Sequence, residues 1–316
     1  SKPISTVSPQ SLGKASRVTD AAGRYIEFCK SRIDTDLKFT GLKIVLDCAQ
    51  GATYHIAPRV FEELGATVIS IGVSPDGLNI NENSGSTSPE LLAETVMKEE
   101  ADIGIAFDGD GDRVVMVDHL GNVVDGDEIL FVIASDRRRQ NVDFGGVVGT
   151  SMSNLGLEQA LDFLDIPFVR SAVGDRYVMR ELLGRGWSLG GESSGHIICL
   201  DKTTTGDGIV SALQALSAIS RTERSLAELT SKLNKYPQSM VNVLIADSAD
   251  IAGSSSVQNA VADVESKLGS KGRVLLRSSG TEPVVRVMVE GEDATEVLKL
   301  AQELAEVVEK EIGAAA

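Results

Sequence analysis

Residues 42–72, LKIVLDCAQGATYHIAPRVFEELGATVISIG, decide the fold. LKIVLD is a short apolar run of strand length, and Gly51 interrupts the chain after it. HIAPRVFEELG then carries apolar residues at helical spacing, and ATVISIG is a second β-branched run. Strand, helix and strand in that order make a βαβ unit.

The same grammar extends outward. Ser88-Pro89 supplies an N-cap and a proline at the first helical position, opening the helix SPELLAETVMKEE. DIGIAF returns as a strand, and RVVMVDHLGNVV reads as a hairpin on a Gly-Asn turn. A comparable series restarts at GGVVGT, residues 145–150, with helix NLGLEQALDFL, strand PFVRSAV, helix RYVMRELLGRG and the stretch WSLGGESSGHIICL. From about residue 237 the pattern changes to VNVLIAD, a polar Ser-rich stretch, a helix near 256–268, RVLLR, a turn, VVRVMVE and a long final helix. Asp293 with Glu296 fits a capping pair for that last helix, whose Val297, Leu300, Ala301, Leu304 and Val308 form an apolar stripe destined for a core. The halves share arrangement without a fixed-period repeat, which excludes solenoids and propellers. The expected fold class is α/β: two tandem mixed-sheet α/β domains followed by a smaller α+β C-terminal domain. The expected boundaries are 1–14 for a linker, 15–125 and 126–236 for the α/β domains, and 237–316 for the last.

A chain of 316 residues exceeds what one core usually serves, and 42% hydrophobic with 24% charged residues is ordinary globular composition. Thirty Lys plus Arg against 46 Asp plus Glu give a net charge of −16, which repels nucleic-acid backbones and anionic lipid surfaces. No long apolar run occurs, and the opening SKPISTVSPQ has no signal-peptide character, so the reading is cytoplasmic with neither nucleic-acid nor membrane partners. Cys29, Cys48 and Cys199 are scattered without CxxC spacing, so buried free thiols are expected instead of disulfides or a zinc site. Arg137 to Arg139 follow ILFVIASD and read as a solvated helix end whose cations offset the helix dipole.

Three segments carry chemistry. Asp108-Gly109-Asp110-Gly111-Asp112-Arg113 sets three carboxylates between single glycines directly after a strand. Such crowding requires a cation or a proton, and hard oxygen donors at this spacing suit Mg²⁺ or Ca²⁺. An EF-hand is excluded, because its sixth loop position is Arg113 where glycine is needed and its twelfth is His119 where an acid is needed. Arg277-Ser278-Ser279-Gly280-Thr281-Glu282-Pro283, with Arg286, lies between two strands and resembles an anion cradle of hydroxyls, exposed N–H groups and forked cations. Gly190-Gly191-Glu192-Ser193-Ser194-Gly195-His196 alternates Glu192, Ser194 and His196, groups that suit sugar hydroxyls and, for the histidine, proton exchange. Lesser candidates are Asp175-Arg176 in VGDRYV, Ser151 and Ser153 in VGTSMSN, and TTTGDGI at 203–209; Asp175 and Asp207 equally suit helix caps. His55 and His119 have no convergent partners in sequence and read as structural.

DGDGDR, GGESSGH and RSSGTEPVVRVMVE, in this order across α/β, α/β and α+β units, resemble the α-D-phosphohexomutases, and GKASRVTDAAGRYIEFCK, QGATYH, VGDRYV and LDKTTTGDGI extend the likeness along nearly the whole chain. The resemblance implies an isomerase of the intramolecular phosphotransferase kind. It would interconvert glucosamine 6-phosphate and glucosamine 1-phosphate through a bisphosphorylated sugar, for nucleotide amino-sugar and cell-wall synthesis. It implies Mg²⁺ held by Asp108, Asp110 and Asp112, and Arg113 beside the phosphoryl group. Glu192 and Ser194 would bind sugar hydroxyls, and Arg277, Ser279, Gly280, Thr281 and Arg286 the non-reacting phosphate. His196, Arg176 and Asp175 would line the site, with the proton carrier open among them. The family has four domains, the first bearing a phosphorylated serine in a loop resembling T-A-S-H-N-P; no such loop occurs here, so domains two to four are expected, inactive without the first as partner. The alternatives are a non-catalytic phosphosugar-binding module and a metal-dependent sugar phosphatase. Oligomeric state stays open.

Overall fold

A computed structural model describes residues 6–245, 254–278 and 283–313. The first unit contains α1 (Ala21–Lys30), β1 (Lys43–Asp47), α2 (Ala57–Glu63), β2 (Thr67–Ile71), α3 (Glu90–Lys98), β3 (Ile103–Phe107), β4 (Val114–Asp118) and β5 (Val123–Val124). Its sheet runs β2-β1-β3-β4-β5, with β1 parallel to β2 and β3 and the last two strands antiparallel. The strands are apolar on both sides because both faces are covered. Ile44, Leu46, Ile105 and Phe107 enter the main core, whereas Val45, Ala106 and Val117 pack with Leu92 and Val96 of α3. Gly104 permits that packing, since a Cβ there would lie 2.7 Å from Val96 Cγ2.

The second unit contains α4 (Gly126–Arg139), β6 (Val147–Thr150), α5 (Leu155–Phe163), β7 (Phe168–Ser171), α6 (Asp175–Arg185), β8 (Leu189–Gly191), β9 (Ile197–Cys199), α7 (Gly208–Thr222) and α8 (Leu226–Thr230). Its order, β7-β6-β8-β9 with an antiparallel final strand, repeats the β2-β1-β3-β4 arrangement of the first sheet. One apolar cluster joins the two units, drawing on Phe61 and Phe107 from the first and on Leu130, Ile133, Leu213 and Leu216 from the second.

The third unit contains β10 (Gln238–Leu244), α9 (Ser255–Leu268), β11 (Gly272–Ser278), β12 (Val284–Gly291) and α10 (Ala294–Ile312). The antiparallel sheet β10-β12-β11 buries Val243, Val285, Val287 and Val289 against α9 and α10 in a separate core. Val297, Leu300, Ala301, Leu304 and Val308 are the buried stripe of α10, and Asp293 caps it through Glu296 N at 2.8 Å.

The architecture is the expected α/β, α/β and α+β series, with local corrections. Helix α3 begins at Glu90 with Pro89 in the cap position, and Ser88 bonds the Glu90 carboxylate at 2.9 Å instead of capping backbone. Only Arg138 and Arg139 are solvated at the end of α4; Arg137 is 5% exposed and pairs with Asp201 at 2.9 Å. A carboxylate from a distant loop, itself 35% exposed, gives that guanidinium a partner in place of water. The three cysteines are free and buried, as expected. Helix α7, marked in the sequence only by the cap residue Asp207, fills the space between the two sheets.

Candidate active site

The acidic loop leaves the C-terminal end of β3 and is folded tightly against its neighbours. Ala52 N donates to Gly109 O at 2.8 Å, and Gly111 turns at φ +80°, where glycine carries no Cβ penalty. Asp108 Oδ1 accepts the Arg113 N–H at 3.0 Å, closing the loop on itself. Carboxylate oxygens of Asp108, Asp110 and Asp112 all lie within 4.8 Å of one another. Asp108 is buried, and burial first, then the neighbouring Asp110 and Asp112, push its acid up to about 6 against the relief of the Arg113 N–H. The Arg113 guanidinium stays accessible, with Nε 3.7 Å from Asp108 and 4.0 Å from Asp112.

The hairpin between β8 and β9 in the second unit closes on this loop. Val114 N donates to Gly195 O at 3.0 Å, Arg113 and His196 form an antiparallel bridge, and His196 Nδ1 sits 3.0 Å from Asp112 Oδ2. Glu192 Oε2 accepts the Gly174 N–H at 3.0 Å, which binds the VGDRYV segment to the same hairpin. Ser194 is exposed at the hairpin tip. Asp175 and Arg176 are exposed at the start of α6; Asp175 makes no cap, and the Arg176 guanidinium stacks 4.5 Å above the Tyr177 ring and bonds its hydroxyl.

Sequence reasoning did not foresee that α7 also starts at this loop. Gly208 N donates to Gly111 O at 2.9 Å, Asp207 caps α7 through Val210 N at 3.0 Å, and Tyr25 OH donates to Asp207 Oδ2 at 2.7 Å. TTTGDGI, one of the weaker motifs, was the only signal for this contact. Gly206 leaves room for the imidazole, since a Cβ there would lie 2.3 Å from His196 Nε2.

Arg277 and Arg286 are directly opposed in the register of β11 and β12, four residues along β11 from the Arg273–Glu290 pair. The register thus sets two guanidinium-bearing residues side by side on neighbouring strands. Ser279, Gly280 and Thr281 lie outside the described residues. Ser151 and Ser153 are not exposed nucleophiles: Ser153 is fully buried and its Oγ accepts the Thr150 N–H at 3.0 Å. A cavity of ≈ 810 Å³ lies elsewhere, lined by Met97, His119, Leu216, Ile219 and Arg224, and includes none of the site residues above.

The chain belongs to the phosphoglucomutase/phosphomannomutase family: models of its alpha/beta/alpha domain II, alpha/beta/alpha domain III and C-terminal domain match residues 23–121, 125–236 and 240–307. Within the family, its relatives include phosphoglucosamine mutases. It is 59% identical over 306 residues to that of Aeromonas hydrophila, covering 97% of this chain and 69% of that protein. It is 58% identical over 313 residues to that of Methylococcus capsulatus, covering 99% of this chain and 70% of that protein. Among solved structures, Aspergillus fumigatus N-acetylphosphoglucosamine mutase in complex with GlcNAc-6P and magnesium aligns with a TM-score of 0.72 at 21% identity, over 90% of this chain and 69% of that one. A phosphoglucomutase/phosphomannomutase family protein of Burkholderia thailandensis aligns at 0.73 and 22% identity, over 92% of this chain and 64% of that one. At these identities the structures bear on the fold alone.

Proposed function

We propose that these residues form the metal-, sugar- and phosphate-binding part of a phosphoglucosamine mutase, interconverting glucosamine 6-phosphate and glucosamine 1-phosphate by two phosphoryl transfers through a bisphosphorylated sugar. The observation that carries the reading is the closure of His196, from the second unit, on the aspartate loop of the first, which sets an imidazole and the Arg113 guanidinium beside a cluster of hard donors. Asp108, Asp110 and Asp112 would hold Mg²⁺: three oxygen donors gathered at the cost of raising one acid fit a hard divalent cation. Bound there, the ion supplies positive charge to the oxygens of the transferring phosphoryl group. Arg113 would add a second positive charge beside that group, Glu192 and Ser194 would accept and orient sugar hydroxyls, and His196 would move the proton of the attacking or leaving hydroxyl. Arg277 and Arg286, with Ser279, Gly280 and Thr281, would hold the phosphate that does not react, fixing the in-line geometry. Arg176 would line the sugar side. By the resemblance, the phosphoseryl donor belongs to the family's first domain, which the three matched models do not include. The setting would be cytoplasmic, since phosphorylated sugars do not cross a bilayer unaided.

The test is calorimetric titration of glucosamine 6-phosphate into the 316-residue chain with Mg²⁺ present. Saturable binding that Arg286→Ala removes is expected; absence of binding by the unaltered chain overturns the reading.

A further inference from the structure

The sheet of the third unit has one face on its helices and one face turned away from them. On the second face, register alignment sets three rows. The first is Gln238, Glu290 and Arg273, the second Met240, Met288 and Leu275, and the third Asn242, Arg286 and Arg277. The first and third rows are four residues apart, about 14 Å at ~3.4 Å per residue. The paired arginines therefore stand at one end of a rigid face whose other end is anchored.

The anchor is built into the start of α5. Glu290, 0% exposed, accepts the Leu155 N–H at 2.7 Å and the Gln238 amide at 3.1 Å, and pairs with Arg273. Arg273 donates through its two terminal nitrogens to Ser151 O at 2.7 Å and Ser153 O at 2.6 Å. The receiving segment is itself fixed. Asn154 N donates to the buried Asp127 at 2.7 Å, and Asn154 brackets Tyr236, accepting its N–H at 3.0 Å and donating to its carbonyl at 2.9 Å. Thus VGTSMSN, a motif the proposed chemistry does not use, is the socket into which the third unit plugs.

We infer that Arg273 and Glu290 are positioning residues that set where the Arg277–Arg286 row stands relative to the two α/β units. The inference rests on the reading of that row as the phosphate site. A guanidinium fork on two carbonyls and a carboxylate on a helix N-terminal N–H fix orientation as well as distance, because both are directional. Arg273→Lys keeps the charge but cannot span both carbonyls. Glu290→Gln keeps an acceptor but loses the ion pair.

Two measurements on the 316-residue chain test this. In the first, spin labels are placed at Phe163→Cys and Leu298→Cys, which are 80% and 48% exposed, while the three native cysteines are buried. Arg273→Lys and Glu290→Gln should each broaden the distance distribution between labels; unchanged distributions overturn the inference whether or not any sugar binds. In the second, the same variants should weaken glucosamine 6-phosphate binding about tenfold while Mg²⁺ titration is unchanged. Unaltered sugar binding, or equal loss of sugar and Mg²⁺ binding, overturns it. Failure of the unaltered chain to bind the sugar, with distances that broaden as expected, counts against the phosphate reading and leaves the anchor standing.

Discussion

His196 Nδ1 lies 3.0 Å from Asp112 Oδ2, so a histidine of the second α/β unit closes on the acidic loop of the first. The imidazole is buried, and its far nitrogen has no hydrogen-bond partner among the described residues. Gly206 is what leaves it space. Gly206→Ala should displace the ring and destabilise the chain by about 1–3 kcal/mol, the usual cost of overpacking. The check is thermal unfolding together with the imidazole resonances of His196, which should shift in the variant.

Asp110→Asn removes the charge of one of three clustered carboxylates while preserving its size. Mg²⁺ binding to the chain should fall below detection, because a hard cation depends on the summed ligand charge. Calorimetric titration decides it, and an unchanged isotherm would reject the cluster as a metal site.

Asp127 carries a pH signature of its own. Burial first, then the nearby Asp125, push its acid up to about 7, against the Asn154 N–H it accepts. Its folded-state value lies above the unfolded value, so the folded state binds more protons between them. Stability is therefore greatest below about pH 4 for this group and declines as pH rises through about 7. Asp127→Asn should flatten that decline relative to the unaltered chain, measured as the midpoint of urea unfolding from pH 4 to pH 8.

Arg137 and Arg138 are adjacent but differ in consequence. Arg137 is 5% exposed and paired with Asp201, whereas the Arg138 side chain is 54% exposed. Arg137→Ala should cost about 1–3 kcal/mol, since it removes the buried guanidinium's bonds to Asp201 and Ser188. Arg138→Ala should stay within about 0.5 kcal/mol. Denaturant titration of both separates them.

Relative to Arg137, Arg286 should show the opposite dependence on ligand. Arg286→Ala is expected to weaken glucosamine 6-phosphate binding at least about tenfold, the loss of a charge-assisted contact. Arg137→Ala, in protein that remains folded, should leave the affinity unchanged. Equal losses in calorimetry would count against the arginine row as the phosphate site.

The alternation of strands and helices, the three-part order of the units and the triple-aspartate loop were legible in the sequence, from residues 42–72, 108–113, 145–200 and 237 onward. They rest on local periodicity and on crowded like charges, which neighbours in sequence specify. Arg137 read as solvated, Ser151 and Ser153 read as candidate chemistry, and α7 was marked only by its cap Asp207, because each is defined by partners far along the chain: Asp201, Arg273 and the two sheets. Sequence determined which side chains could hold a cation, a sugar and a phosphate. Only the tertiary structure decided that His196 meets Asp112 and that Glu290 seats on Leu155, since burial and hydrogen-bond pairing across tens of residues are set by packing and not by spacing.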